Sequence, residues 1–134
     1  MVPLKTVSTR TVPTRRFVVE PIDFFQVDGV TRATGILPSD LTVLVFFNNQ
    51  TEAWPLVDGS VVPDPQVSSG KIYFHEFQPG FYTLRMYPNA IGLWRIILSW
   101  ATGNQGLSIT YDVENPAPLP GLELQSSFIK RCLP

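Results

Sequence analysis

The chain has few of the residues from which metal sites, disulfides and charged binding surfaces are built. Its 134 residues include one cysteine, Cys132, and one histidine, His75. It therefore cannot form an intrachain disulfide or supply the four nitrogen or sulfur ligands of a zinc site. The net charge of −1 disfavours a dedicated nucleic-acid-binding protein, which needs a concentrated basic surface. We expect no cofactor, no metal and no specific nucleic-acid partner.

Long apolar runs are also missing. The longest apolar stretch, residues 41–47, is interrupted by Thr42 and is far shorter than the roughly 20 residues of a membrane-spanning helix. Residues 1–10 contain no apolar segment of the length found in a secretory signal. We therefore expect a protein that is made in a reducing cytosol, is not exported by the general pathway and has no membrane partner.

No segment of ten or more residues shows the apolar spacing of an amphipathic helix, although a short helix around residues 125–131 fits the sequence. The 13 prolines exclude a helical bundle, because each proline inside a helix costs about 3 kcal/mol. From Phe17 onward, residues alternate with the period of two that is typical of β-strands. About seven short strands, separated by turns at intervals of roughly 8–14 residues, predict an all-β fold, an antiparallel immunoglobulin-like β-sandwich.

The alternation also identifies the residues expected in the core of this sandwich. In residues 92–100, two tryptophans and two aliphatic residues share one face of the predicted strand, while Arg95 lies on the opposite face. Residues 41–47 are mostly apolar on both faces, which predicts a central strand. The core residues predicted in this way are Val43, Val45, Tyr82, Leu84, Trp94, Ile96, Leu98, Trp100, Ile109 and Tyr111.

Both ends of the chain differ in composition from its middle. Residues 1–16 contain four basic and no acidic residues, and residues 115–134 begin with a proline-rich stretch that apolar residues follow. We predict an extended basic N-terminal arm (1–16), a β-sandwich domain (17–114) and a Pro-rich docking tail (115–134). For the N-terminal arm, a solvated tail and a strap that lies on an acidic neighbouring subunit both fit the sequence. The residues expected to contact neighbouring chains are Leu4, Val7, Arg10, Arg15 and Arg16 in the arm, and Leu122, Leu124, Phe128, Ile129 and Leu133 in the tail.

Few residues could carry catalysis or sugar binding. His75 is the one possible imidazole base for a nucleophile, and its place in the middle of a strand between aromatic residues favours a structural role. We therefore expect that the protein is not an enzyme; an enzyme would require His75 to line an open pocket beside a carboxylate. Trp54, beside Pro55, is the candidate for an exposed ring that stacks on a carbohydrate, because the other two tryptophans share a face with core residues.

A series of short motifs across residues 28–113 marks the entries and turns of the predicted strands. The motifs are DGV at 28–30, TGI at 34–36, LTVLVF at 41–46, GFYTL at 80–84, Pro88 and GLWRI at 92–96. Together they resemble a domain that recurs in virion proteins of tailed bacteriophages, in which a Gly-Phe-Tyr strand, a proline turn and a Gly-aromatic strand follow one another. The resemblance implies an accessory module of tails, baseplates or capsids, without catalytic activity, that is assembled into the virion in the host cytoplasm.

The composition and this resemblance lead to one expected function and two alternatives. We expect a non-enzymatic structural protein of a virion. It would be an accessory subunit of the tail, baseplate or neck that braces the assembly through its sandwich and its two arms. Its expected partners are other virion structural proteins, with the protein itself homo-oligomeric or present in many copies. Low charge and apolar arms suit such permanent interfaces. The alternatives are a capsid decoration or cement protein, and a carbohydrate-binding module of a receptor-recognition apparatus.

Overall fold

Two β-sheets packed against each other form the part of the chain that the structure, a computed structural model, describes: residues 3–61 and 70–115. Within these residues there are ten strands, one short 3-10 turn at Pro38–Asp40 and no helix that is long and apolar enough to cross a membrane. The strands are β1 (Leu4–Thr6), β2 (Arg10–Pro13), β3 (Val18–Ile22), β4 (Thr42–Phe47), β5 (Gln50–Glu52), β6 (Leu56–Asp58), β7 (Ile72–Gln78), β8 (Phe81–Met86), β9 (Gly92–Trp100) and β10 (Gln105–Glu114).

The strand order identifies the type of sandwich. One sheet has the order β1-β10-β9-β4-β5, with β2 also paired to β10, and the other has the order β3-β8-β7-β6. The succession β3-β8-β7 in one layer and β10-β9-β4 in the other is the strand order of an immunoglobulin-type sandwich. The predicted all-β, two-layer fold is therefore confirmed.

The strand count and the strand directions differ from the prediction of about seven antiparallel strands. The described residues contain ten strands, and β1 and β2 run parallel to β10, as β6 does to β7. The additional strands β1, β2, β5 and β6 have only three or four residues each. Segments this short do not show a period of two, so alternation cannot reveal them.

The inner faces of the two sheets supply the core. In β9, every second residue from Trp94 to Leu98 is buried. The ring of Trp94 contacts Phe47 and Trp54, with centroid distances of 4.6 and 4.9 Å, and its Nε1–H donates to the carbonyl oxygen of Ala90 at 3.0 Å. Of the predicted core residues, Val45, Tyr82, Leu84, Trp94, Ile96, Leu98, Ile109 and Tyr111 are buried, and Val43 and Trp100 are half-buried against the same core.

The N-terminal residues belong to the sandwich, in contrast to the extended arm expected for residues 1–16. β1 and β2 pair with one edge of β10, and Val7 and Val12 pack against the core. This pairing is favourable because an uncovered edge of β10 would leave a row of backbone N–H and C=O groups without partners. The sandwich therefore begins at β1, ahead of the boundary expected at residue 17. The tail expected for residues 115–134 lies, from residue 116 onward, outside the described residues.

Arg10 of β2 joins the two sheets at their edge. Its Nη2 lies 2.9 Å from Glu20 Oε2 and donates to the carbonyl oxygen of Val19 at 3.3 Å, and its guanidinium lies 5.4 Å from the ring centre of Tyr111. Glu20 is only 5% exposed; burial raises the pKa of its carboxyl group, and the charge of Arg10 opposes that rise. Because Arg10 occupies the outer edge of β3, and Pro21 has no N–H to offer there, that edge is protected against pairing with another chain.

Deleting residues 1–16 should destabilise the sandwich, rather than leave the folded domain that a free arm would allow. The deletion removes β1 and β2, which uncovers the edge of β10, and it removes the ion pair between Arg10 and Glu20. Thermal unfolding followed by circular dichroism measures the effect, with deletion of residues 1–3, which precede β1, as the control. An unchanged melting temperature after the longer deletion would show that the two strands contribute nothing to stability.

Replacing Trp94 with alanine should lower the free energy of unfolding by about 3–5 kcal/mol, because the change leaves a cavity between the sheets. The matched control is Leu93→Ala, the preceding residue of β9, whose side chain is 43% exposed and whose loss should change stability by about 0.5 kcal/mol or less. Urea denaturation of both variants makes the comparison. Similar losses for the two variants would contradict the packing of Trp94 between the two sheets.

Candidate protein-interaction surfaces

The outer face of the six-stranded sheet carries a cluster of exposed and half-exposed apolar side chains on β4 and β9. The register places Leu44 beside Ile97 and Phe46 beside Arg95, on the side of β4 and β9 that points away from the core. A groove of about 330 Å³ opens on this face; it is lined by Phe46 and Leu93 and by the polar residues Thr6, Asn49, Arg95, Ser108 and Thr110. We call this surface the apolar sheet face; its apolar members are Leu4, Leu44, Phe46, Leu93 and Ile97, and Arg95 and Asp112 are charged members.

The two charged members lie on neighbouring strands and do not bind each other. Arg95 of β9 is opposite Thr110, and Asp112 of β10 is opposite Leu93, so the two charges are diagonal neighbours roughly 7–8 Å apart. Nε of Arg95 donates to Ser108 Oγ at 3.0 Å, on the side of Arg95 that points away from Asp112. Within residues 3–61 and 70–115, neither charge forms an ion pair.

A second candidate surface lies at the end of the sandwich where the β3–β4 loop meets the β7–β8 hairpin. The guanidinium of Arg32 lies 4.0 Å from the ring centre of Phe81 and 5.7 Å from that of Phe25, and it forms an ion pair with Asp23. Arginine and aromatic residues are enriched in protein interfaces. We call this surface the aromatic tip; its members are Phe25, Arg32, Phe81, the exposed Phe77, and the strongly exposed Val27 and Val30.

Side-chain hydrogen bonds hold the loop of the aromatic tip in one shape. The carboxylate of Asp28 accepts bonds from the hydroxyl group of Thr31 and from the N–H groups of Thr31 and Val30. These bonds lower the pKa of Asp28, the hydroxyl bond most strongly. The side-chain amide of Gln105, at the start of β10, accepts a bond from the N–H of Phe25 at 2.9 Å and donates one to its carbonyl oxygen. A surface held in this way loses little conformational entropy on binding.

Glu76 joins this loop to the β7–β8 hairpin. Its carboxylate accepts hydrogen bonds from the N–H of Gly80 at 2.9 Å and of Gly35 at 3.1 Å. The Gly80 bond is the largest cause of the lowered pKa of Glu76. Gly80 has a φ of +81°, and a Cβ at this position would lie 2.7 Å from Cβ of Arg32, so glycine is required there. Glu76 and Gly80 therefore help to set the position of Arg32 over Phe81.

His75 lies in a shallow cleft that also contains carboxylates, which is the arrangement an enzyme would need. The cleft has a volume of about 240 Å³, and its lining includes His75, Asp58, Ser60 and Glu76. The hydroxyl group of Ser60 donates to Asp58 Oδ2 at 2.7 Å, whereas activation as a nucleophile requires donation to the imidazole base. Glu76 is occupied by two backbone N–H groups. The described residues contain no cluster of three potential metal ligands.

Trp54 does not form the exposed ring considered for carbohydrate stacking. It follows β5, turns inward and packs against Trp94, and it is only 8% exposed. The ring is buried because the space above Trp94 at this end of the core is apolar and is filled by its indole. A buried ring has no free face for a sugar, so the expectation for Trp54 is wrong.

The residues expected to contact neighbouring chains have different positions. Leu4 lies on the apolar sheet face, Val7 packs against the core, and Arg10 bridges the two sheets. Their contact with other chains stays a prediction. Arg15 and Arg16 are exposed after β2, and Leu122, Leu124, Phe128, Ile129 and Leu133 lie outside the described residues.

Sequence reasoning missed both surfaces. The two apolar faces of residues 41–47 were a signal for the apolar sheet face, because a central strand can bury one face and still expose the other. No pattern in the sequence could have identified the aromatic tip, because its residues come from segments about fifty positions apart that the fold brings together.

Comparisons with known proteins do not identify a family for this chain. No protein-family model matches the chain, and no curated protein matches it. A solved structure titled "Atomic resolution structure of titin domain M7" aligns over 82% of this chain and 88% of that chain, with 13% sequence identity and a TM-score of 0.34. The fold assignment rests on the strand order described above.

The amide signals of Gly35 and Gly80 should titrate together in NMR spectra as the pH is lowered. Because the pKa of Glu76 lies below its usual value of 4.5 in the folded state, its carboxylate stabilises the fold at higher pH. That contribution is lost as the pH falls through the lowered pKa. We expect a shared midpoint below 4.5 and no shared titration in Glu76→Gln. If Gly35 and Gly80 still titrated together in Glu76→Gln, a group other than Glu76 would be the cause of the shared titration.

Proposed function

We propose that this protein is a non-enzymatic structural subunit that binds neighbouring subunits through its apolar sheet face. The observation that carries the proposal is the exposure of Leu4, Leu44 and Leu93, which are 41%, 47% and 43% exposed. Leu44 and Leu93 form a contiguous cluster with Phe46 and Ile97 on β4 and β9, whereas Leu4 of β1 is separated from this cluster by the outward residues Gly106 and Ser108 of β10. Contiguous apolar patches of this kind mark sites of protein association, whereas single exposed apolar residues do not.

The assembly that we propose is the virion of a tailed bacteriophage. The support is the motif resemblance across residues 28–113, together with a strand order that suits an immunoglobulin-like accessory module. In this role the protein is a tail, baseplate or neck accessory subunit, and its partners are other virion structural proteins. Residues 115–134 are proposed to dock on one of them. A capsid decoration protein, which would use the same face, is the alternative.

The aromatic tip is proposed as a second contact with a neighbour. Its loop is held by Asp28, Glu76 and Gln105 before any partner binds, so binding would not have to order it. Because the tip lies at one end of the sandwich and the apolar sheet face lies on its side, two different neighbours could be bound at once. A subunit that braces an assembly needs such separate contacts.

Leu44→Asp should reduce incorporation of the protein into assembled particles by about tenfold or more, because a charge in the centre of an apolar interface loses its hydration without gaining a partner. Incorporation is measured as the fraction of the protein that sediments with purified particles from the producing cell. The matched control is Val19→Asp on the outer face of the other sheet, where the side chain is 46% exposed, against 47% for Leu44.

Equal melting temperatures for the two variants would separate assembly from folding. Normal incorporation of Leu44→Asp would remove the apolar sheet face from the proposal. An equal reduction for Val19→Asp would show that added negative charge anywhere on the sandwich disturbs assembly.

A further inference from the structure

The two ends of the sandwich carry opposite charges. β3 begins at Val18, beside the last residue of β8, and ends at Ile22, near the β7–β8 hairpin. The residues that precede β3 and those that follow it therefore lie at opposite ends. At the end with the aromatic tip, the described residues include two basic groups, those of Arg32 and the neighbouring Lys5. They also include four carboxylates, on Asp23, Asp28, Asp40 and Glu76. This end is therefore negative.

The opposite end is positive. Arg15 and Arg16 lie in the turn between β2 and β3 and are exposed, as is Lys71 immediately before β7. The N–H of Arg15 donates to the carbonyl oxygen of Pro88 at 3.0 Å, which ties this turn to the β8–β9 loop. Glu114, at the end of β10, adds one negative charge. We call this surface the basic end; its members are Arg15, Arg16, Lys71, the exposed Ile91, and the rings of Phe17 and Tyr87, whose centres are 5.4 Å apart.

The aromatic tip needs a partner that offers apolar and positive groups side by side. Val27 is fully exposed, and Val30 and Phe77 are 80% and 51% exposed. Asp28 lies in the same turn as the two valines, and its carboxylate, like that of Glu76, forms no ion pair with a described residue. Local hydrogen bonds lower the pKa of both groups, so both are negative at neutral pH. The basic end of a second copy offers both kinds of group.

We infer that copies of this chain associate head to tail, with the aromatic tip of one copy against the basic end of the next. This inference rests on the proposed function and names the neighbour that the aromatic tip binds. Because the two surfaces differ and lie at opposite ends, every copy in a pair keeps one surface for a further copy. Such heterologous contacts continue as a row or close as a ring. The apolar sheet face points sideways from the row and is left for another neighbour.

The charges also decide against contacts between like ends. Two aromatic tips would set carboxylates against carboxylates, and two basic ends would set Arg15 and Arg16 against their counterparts. Juxtaposed like charges oppose association, whereas complementary ends favour it and fix its direction. Because both ends terminate the same two sheets, the surfaces that meet in the head-to-tail contact have similar widths.

The contact is expected to be weak and to depend on salt. The ends of a sandwich are its smallest surfaces, so one contact belongs with the weak interfaces that bury less than about 1,200 Å². Attraction between exposed charges is screened within about 3 Å at 1 M salt, against about 30 Å at 0.01 M. Association should therefore rise with protein concentration and fall with added salt. An assembly that holds the copies close raises their effective concentration.

Sedimentation velocity of the full chain, in a dilution series up to about 1 mM, tests the inference. In about 0.01 M salt the average mass of the wild type should increase with concentration and pass the mass of a dimer, and about 1 M salt should reduce it. Arg16→Glu should weaken each contact by about tenfold, because it sets a carboxylate against the negative tip. The matched control is Arg95→Glu, which reverses an exposed arginine on the side of the sandwich and should change nothing.

A second variant places the opposite charge on the tip. Val27→Lys combined with Val30→Lys should also weaken association, and it removes no side-chain hydrogen bond of the loop. In an equimolar mixture with Arg16→Glu, the unchanged tip of one variant meets the unchanged basic end of the other. The mixture should therefore form pairs of unlike copies with the affinity of the wild-type contact.

Four results would overturn the inference. They are a monomeric wild type throughout the series, a wild type that stops at the dimer, wild-type association of Arg16→Glu, and a mixture that forms no pairs although both variants keep the wild-type melting temperature. If Leu44→Asp still reduces incorporation into particles in any of these cases, the proposed function stands, and the aromatic tip does not bind a second copy.

Discussion

The packing of the two sheets against each other is the constraint on which the rest of the structure depends. Packed sheets lie about 10 Å apart, so the side chains between them fill a layer of fixed thickness. At one end of the core, Trp94 fills that layer together with Phe47 and Trp54. Each strand can point only one of its faces into the layer. In β4 and β9 both faces carry apolar residues, and Leu44 and Leu93 therefore remain outside.

The ends and edges of the sandwich are organised by polar groups. At one end, the carboxylates of Asp28 and Glu76 and the amide of Gln105 satisfy backbone groups of the β3–β4 loop and the β7–β8 hairpin. At the edge of β3, Arg10 satisfies the carboxylate of Glu20 and a backbone carbonyl group. These bonds restrict the loops and block one edge, whereas the side chains of the apolar sheet face and of the aromatic tip remain exposed among the described residues.

Much of the fold could be predicted from local patterns, whereas little of the candidate site could be. The inward side of β9 was predictable, because Trp94 to Leu98 alternate over a strand of nine residues. The inward position of Trp54 was not predictable, because a single aromatic residue after a three-residue strand belongs to no alternating pattern that would show which way its side chain points. Arg10 belonged to a basic segment that fits a free arm as well as a strand, and only its position opposite Glu20 decides between them.

The sequence by itself determined that this chain forms strands, that those strands form two layers, and which residues of the longer strands share a face. These properties follow from the spacing of residues within one segment. The tertiary structure alone decided that β1 and β2 join β10, that Arg32 stacks on Phe81, and that Arg95 and Asp112 are neighbours on an uncovered face. Strand partners and register join segments far apart in the chain, so no local pattern records them.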